Sequence, residues 1–324
     1  MFSHPVLSDL ARHVTIKTNA SLPSFVPVGA TAVQLLPIQL DFLEHNSPRC
    51  KFLQSYTMKL ASCSDSAGTT AIVTALLERF DVLRLRVDGR GLAARIEAFG
   101  DVDVGSHIVS GSAMGDSISM VDGPSFVVNA VGDVLNFAAH HLVIDAVSWR
   151  LIDAVVRAVT TSAPMPSTSS FAAWSETISA LALDRTFLSA QVDFWHKMTA
   201  PRCDLETFRH DSLVETLTHI DSFTAVASHA LAALNLKPNE LLLGIVLWTL
   251  SQSTNESHVA VGMEGHGRPQ EIDGAESVVG WLTSVFPVAS RRFDANEMEA
   301  ALIHAKTVLR KVPHGGIGLA SSAT

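Results

Sequence analysis

The 324-residue chain is poor in several residue types, and each shortage narrows what it can be. Charged residues make up only 17% against 47% hydrophobic, which excludes a disordered chain and leaves ample material for a core. It has three cysteines, Cys50, Cys63 and Cys203, widely spaced and odd in number. They form neither a disulfide framework nor a zinc site and fit a reducing compartment. Positive charge is also scarce: 23 basic against 32 acidic residues give a net charge of -9, which argues against nucleic acid as a partner. Long apolar runs are missing. The longest, LLLGIVLWTL at 241–250, is too short to span a bilayer and reads as a buried helix. The opening MFSHPVLSDLARHV lacks the apolar stretch of a signal peptide, so the expectation is a soluble, cytoplasmic protein without membrane contact.

What is present reads as mixed α/β, and the length suggests two domains or subdomains. PVLSDLARHV has Leu7, Leu10 and Val14 at helical spacing, and TNASLPSFVPVGATA reads as a linker. TTAIVTALLERF sets Ile72, Leu76 and Phe80 on one helical face. VLRLRVDGRGLAARIEAF alternates and turns at Asp88-Gly89, as a β-hairpin does. GDSISM reads as a loop and VLNFAAHH as a strand. After His141 the period becomes helical through Trp149, Ile152, Val155, Val156 and Val159, with Asp145 at or just before the N-cap. TTSAPMPSTSS, 160–170, is a second break and places a hinge near residue 165. Helical patterns follow in FAAWSETISALAL, LSAQVDFWHKM and NELLLGIVLWTL, and HVAVGM reads as a strand running into EGHGR.

Chemistry concentrates in two stretches. The first is AAHHLVIDAVSWR, 138–150. Neighbouring strand residues point to opposite faces, so His140 and His141 are ill placed to share a metal ion. The plain alternative is a buried, hydrogen-bonded histidine oriented by Asp145. A carboxylate at a strand-to-helix junction is seldom buried unpaired, and Arg84 and Arg150 are its candidate partners. His140 and Asp145 then serve as scaffold and His141 faces a cavity, where a side chain titrating near neutrality suits proton transfer. The second stretch is VGMEGHGRP, 261–269, with Glu264 flanked by Gly262, Gly265 and Gly267. Glycines admit a close ligand, but neither GxxxxGK[ST] nor GxGxxG is present. Alone, it reads more readily as a glycine-rich turn with Glu264 and Arg268 solvated. In VVGWLTSVFPV, 278–288, Trp281 and Phe286 read as core.

Together these pieces resemble the epimerization domains of non-ribosomal peptide synthetases, within the condensation-domain superfamily. HHLVIDAVSWRLI resembles that family's HHxxxDxVSW motif, VGMEGHGR its VxxEGHGR motif and VVGWLTSVFP its VGWFTxxxP motif. LLPIQLDF, FDVLRLRV and STSSFAAW resemble three further segments in the right order. HHxxxD covers the whole superfamily, whereas VSW and EGHGR point to the epimerization branch. The resemblance implies two chloramphenicol-acetyltransferase-like halves in a V, 34–165 and 166–324, with a tunnel between them. It implies inversion at Cα of an aminoacyl or peptidyl thioester carried on a carrier protein's phosphopantetheine, with no pyridoxal, metal or other directly bound cofactor. His141 and Glu264 are then catalytic, on opposite sides of the tunnel. His140, Asp145, Arg84 and Trp149 support the site, and Ser148, His266, Arg268, Trp281 and Thr283 lie along the tunnel.

FSHPVLSDLA resembles the last helix of a peptidyl carrier domain, so residues 1–16 are expected as a carrier tail and 17–33 as a linker. MGDSIS, 114–119, is superficially like a carrier's serine motif but reads as a loop with Ser117 unmodified. The chain departs from the pattern at Ala146, in LNLKPNELLL, and in PHGGIGLA, where Leu319-Ala320 replace Tyr-Gly. It ends before the family's FNYLG-type motif, which implies an incomplete second half. Two other readings stand beside this one: a condensation domain forming amide bonds, and a remnant that docks a carrier without chemistry.

Overall fold

A computed structural model of the chain describes residues 29–61, 65–111, 113–200 and 231–320. The expected carrier tail, most of the expected linker, Cys63 and Cys203 lie outside the described residues. The class is mixed α/β, and the chain divides into two compact units. One unit holds the described residues up to Ala180 together with Arg268–Leu282. The other holds the described residues of Leu181–Gly267 and those from Thr283 onward.

The first unit contains two three-stranded sheets. Strands β1 (Thr31–Val33), β3 (Leu85–Val87) and β4 (Ala94–Ile96) form one, in the order β1-β4-β3, with both pairings antiparallel. Thr31–Val33 therefore belongs to a sheet rather than to the expected linker, because it pairs with Ala94–Ile96. The expected hairpin is present but shorter than its alternation suggests. Asp81–Arg84 coil as a 3₁₀ turn, and extended pairing begins at Leu85. Strands β2 (Leu53–Lys59), β5 (Phe126–Val131) and β6 (Val134–His140) form the second sheet, in the order β2-β6-β5.

Helix α1 (Pro37–His45) begins on a proline, whose missing N–H costs nothing in a first turn. Helix α2 (Ser66–Arg79) is capped by Asp65, which accepts from Gly68 N at 2.7 Å, and buries Ile72, Val73, Leu76 and Leu77. Helix α3 (Ala146–Thr161) starts at the Asp145 N-cap and buries Trp149, Ile152, Val155 and Val156 at helical spacing.

Helix α4 (Phe171–Leu183) explains why the first unit runs past residue 165. Buried Asp81 accepts from Ser170 Oγ at 2.7 Å, Phe171 N at 2.8 Å and Ala172 N at 3.0 Å. A carboxylate from the 3₁₀ turn thus satisfies the open amides of this helix end and pins 166–180 to the first unit. A parallel bridge between Ser169 and Val278 adds a second tie.

In the second unit LSAQVDFWHKM is not one helix. It breaks into α5 (Arg185–Ser189) and α6 (Val192–Thr199) around buried Gln191, whose amide donates to Phe187 O and accepts from Trp195 Nε1. Helix α7 (Pro238–Ser253) opens with Pro238 and with Glu240 accepting from Lys237 N at 2.7 Å. Strands β7 (His258–Gly265) and β8 (Ser284–Arg291) pair antiparallel, Glu264 facing Val285 across the ladder. Helix α8 (Met298–Leu309) joins α6, α7 and the two strands in a core that includes Trp195, Leu247, Phe286, Val288 and Ala305. Among the described residues no helix is long and apolar enough to cross a membrane.

Candidate active site

The site begins where β6 ends. Strand pairing stops at His140, and His141–Val143 form a single 3₁₀ turn. This change of backbone sends the two imidazoles to different surroundings. His140 is buried: its Nε2 lies 2.8 Å from Cys50 O, and its Nδ1 accepts from Leu142 N at 3.1 Å. Burial is the main influence on its pKa and pushes it down to about 4, so the ring is a neutral brace.

His141 is half-buried and sits among aromatic rings. Its ring stacks on Phe52, centroids 4.8 Å apart and planes at 16°, and lies 4.4 Å from Trp281. Its backbone N–H donates to Phe52 O at 2.7 Å. Its Nε2 is 2.6 Å from the Gln54 amide nitrogen, and Gln54 Oε1 accepts from Trp149 Nε1 at 3.0 Å. Trp149 is held in turn by stacking on Tyr56.

Asp145 is a structural knot. Its Oδ1 accepts from Ser148 N and Ser148 Oγ at 2.8 and 2.7 Å. Arg268 donates to both of its oxygens, Nη1 to Oδ2 at 2.8 Å and Nη2 to Oδ1 at 3.0 Å. The Leu282 amide reaches Oδ2 at 3.3 Å. Arg268 also donates to Val278 O, and Ser148 Oγ accepts from Gly280 N at 3.0 Å. Both side chains of the ion pair are almost fully buried. A buried carboxylate needs such a set of partners to offset its lost hydration.

This arrangement corrects several expectations. The arginine paired with Asp145 is Arg268, not Arg84 or Arg150. Arg84 is fully buried in a different place, donating to Leu77 O at the end of α2 and to Glu97 O. Arg150 is exposed. Ser148 and Arg268, expected along a substrate path, are instead locked in the Asp145 network. Arg268 is buried rather than solvated, because bidentate pairing with a carboxylate holds it. Trp149 donates to Gln54, whose amide nitrogen contacts the His141 ring. Trp281 lies against His141, and Ser117 is exposed at the end of a 3₁₀ turn.

In the second unit Glu264 is exposed near the end of β7, and no described side chain pairs with its carboxylate. Its flanking glycines serve different ends. A Cβ at Gly265 would come within 2.7 Å of Gly315 O, while one at Gly262 would meet nothing. Gly267 has a φ of +64°, which L side chains seldom adopt. His266 is exposed and Thr283 half-buried. Among the described residues no cluster of His, Cys, Asp and Glu could hold a metal ion.

Two residues that carry this architecture were missed in the sequence. Asp81 stands inside FDVLRLRV, and the SSF that opens α4 is the one local sign that a helix start there needs a cap. Gln54 carries no motif signal: its partners lie 87 and 95 positions away.

Comparison with known proteins agrees with the architecture. The Condensation domain family matches residues 123–321, more than half of the chain. The chain is 26% identical to bacitracin synthase 1 of Bacillus licheniformis and 26% identical to chondramide synthase cmdD of Chondromyces crocatus, in both cases over 98% of this chain. It spans only 7% and 9% of the length of those relatives. Among solved structures, the epimerization domain from the third module of tyrocidine synthetase B superposes with a TM-score of 0.72 at 22% identity, over 93% of this chain and 77% of that one. The condensation domain of the Monacolin K polyketide synthase MokA gives 0.66 at 14% identity, over 93% and 76%. The fold is that of these domains, and the chain belongs to the condensation-domain family.

Proposed function

We propose that this domain inverts the Cα stereocentre of an aminoacyl or peptidyl thioester borne on the phosphopantetheine of a carrier domain in non-ribosomal peptide synthesis. The observation that carries the reading is the joining of the two stretches that resemble the epimerization branch. Ser148 of VSW and Arg268 of EGHGR meet on the same Asp145 carboxylate. Trp149 of VSW reaches the His141 ring through Gln54. Ser148 and Arg268 thus share one buried network on Asp145, and Trp149 ties VSW to the His141 ring.

The chemistry follows from the substrate class. A thioester acidifies its Cα–H, so the carbanion forms as an enolate without a directly bound cofactor. Inversion needs a proton removed from one face and returned to the other, and hence two acid–base groups. The reading assigns them to His141 and Glu264, one of which can also stabilise the enolate oxygen.

The test is exchange in deuterated water with an L-aminoacyl carrier protein as substrate. Wash-in of deuterium at Cα and appearance of the D-aminoacyl thioester are expected. His141→Ala and Glu264→Gln are expected to slow exchange by about 10²–10⁴-fold each. No exchange by the folded chain, with carrier binding intact, would leave a docking module and sink the proposal.

The family match over 123–321 also favours a second reading, amide-bond formation between two carrier-bound substrates with His141 beside the attacking amine. Supplying donor and acceptor thioesters together distinguishes the two: peptide product without Cα exchange selects condensation.

A further inference from the structure

The contact between His141 and Gln54 joins two nitrogens, so one of them must accept. Trp149 resolves which. An indole N–H is a donor only, so the Gln54 atom 3.0 Å from Trp149 Nε1 is the carbonyl oxygen. Turning the amide over would set its NH₂ against the indole N–H and lose that bond. Trp149 itself is held, 7% exposed, stacked on Tyr56 at 5.5 Å with planes at 17° and tilted against Phe137. Gln54 and Tyr56, two apart on β2, share the strand face that meets this indole. The Gln54 amide nitrogen therefore donates to His141 Nε2, whose lone pair is taken.

We propose that Gln54 is a positioning residue, which, oriented by Trp149, holds His141 as the neutral tautomer with its proton on Nδ1. The inference rests on the reading of His141 as the chemical residue, and it adds a condition to that reading. The nitrogen lone pair of the neutral ring is engaged by an amide N–H, so His141 takes a proton only after the Gln54 bond opens or is exchanged for a substrate group. Phe52 and Trp281 keep the ring plane in place meanwhile.

The tautomer can be read directly and without substrate. ¹⁵N NMR of the full chain, labelled at histidine and held above pH 8, reports which nitrogen of each neutral ring is protonated. The His141 signals are those that vanish in His141→Phe. In the wild type Nδ1 is expected to be protonated and Nε2 bare. Gln54→Glu, whose carboxylate only accepts, is expected to reverse the pattern to Nε2–H. Gln54→Met is expected to abolish the preference and give a mixture. Trp149→Phe, which keeps Gln54 and an aromatic ring but removes the orienting N–H, is expected to give a mixture as well, and it decides the matter if the Gln54 variants do not fold. A wild-type His141 protonated on Nε2, or a tautomer indifferent to both Gln54→Met and Trp149→Phe, overturns the proposal. Because the signal needs no turnover, failure of Cα exchange with the expected tautomer would count against the epimerase reading alone.

Discussion

Asp145 shows how much of this site is support. Its carboxylate caps α3, closes an ion pair with Arg268 and receives the Leu282 amide, all out of water. The aspartate of the HHxxxD pattern is thereby fully engaged in holding chain segments together. Arg268→Leu should strand a buried carboxylate and cost about 3–5 kcal/mol, read as a shift in the urea midpoint. Asp145→Leu combined with Arg268→Leu should cost less than the sum of the single changes, because each single change leaves one charge unpaired. Additive losses would show that the two residues act separately. The scaffold role of Asp145 was legible, since a carboxylate at a strand-to-helix junction has to be paired. Its partner was not, since Arg268 comes 123 positions later and nearer arginines compete in the sequence.

At the scale of elements, helix ends and strand crossings decide where backbone can go. Helix α4 borrows Asp81, 89 to 91 positions away, to cap its first turn. Asp81→Ala should cost about 2 kcal/mol or more in denaturant unfolding, above an ordinary cap loss, because Ser170 Oγ and two amides lose one acceptor together. Asp81→Asn, which keeps an acceptor oxygen, should cost less. The β7–β8 pair offers a sharper contrast. Gly265→Ala drives a methyl against Gly315 O and should destabilise by about 1–3 kcal/mol. Gly262→Ala enters open space and should leave the midpoint within about 0.5 kcal/mol of wild type. Equal effects would refute the close approach. Helix periodicity and the hairpin turn were readable because they depend on residues a few positions apart. The break at Gln191 was not, because a buried amide bonded to Phe187 and Trp195 overrides the run of helix formers around it.

At the scale of the whole molecule, stability is coupled to pH by buried imidazoles, two of them, among the described residues, deeply buried. His107, with Nδ1 donating to Phe126 O at 2.8 Å, and His140 are both pushed down to about 4, burial being the largest cause in each. An unfolded histidine takes up its proton near pH 6.5. Between that value and about 4 the unfolded chain binds more protons than the folded one, so stability falls as pH drops through this window. Each ring can withdraw up to about 3 kcal/mol by its lower end. Urea midpoints measured from pH 7 to pH 5, where most carboxylates stay ionised, should fall steadily. His107→Asn should flatten the slope; an unchanged slope would mean the ring is not buried neutral. The division into two units is also a property of the whole chain. A hinge at the polar stretch near 165 is what composition suggests, yet contacts keep the chain in the first unit to Ala180 and return 268–282 to it.

By itself the sequence determined the α/β class, most helices, the hairpin, the Asp145 cap and the family, because each of these rests on local periodicity, capping chemistry or the order of short motifs. Tertiary structure alone decided that Arg268 closes on Asp145, that Asp81 caps a distant helix, that Gly265 must lack a side chain, and that Gln54 and Trp149 stand behind His141. These are pairings between residues from about 50 to more than 120 positions apart. Their partners are chosen by how the chain returns on itself, and a buried charge or an oriented amide is satisfied by whatever that return brings within hydrogen-bond reach.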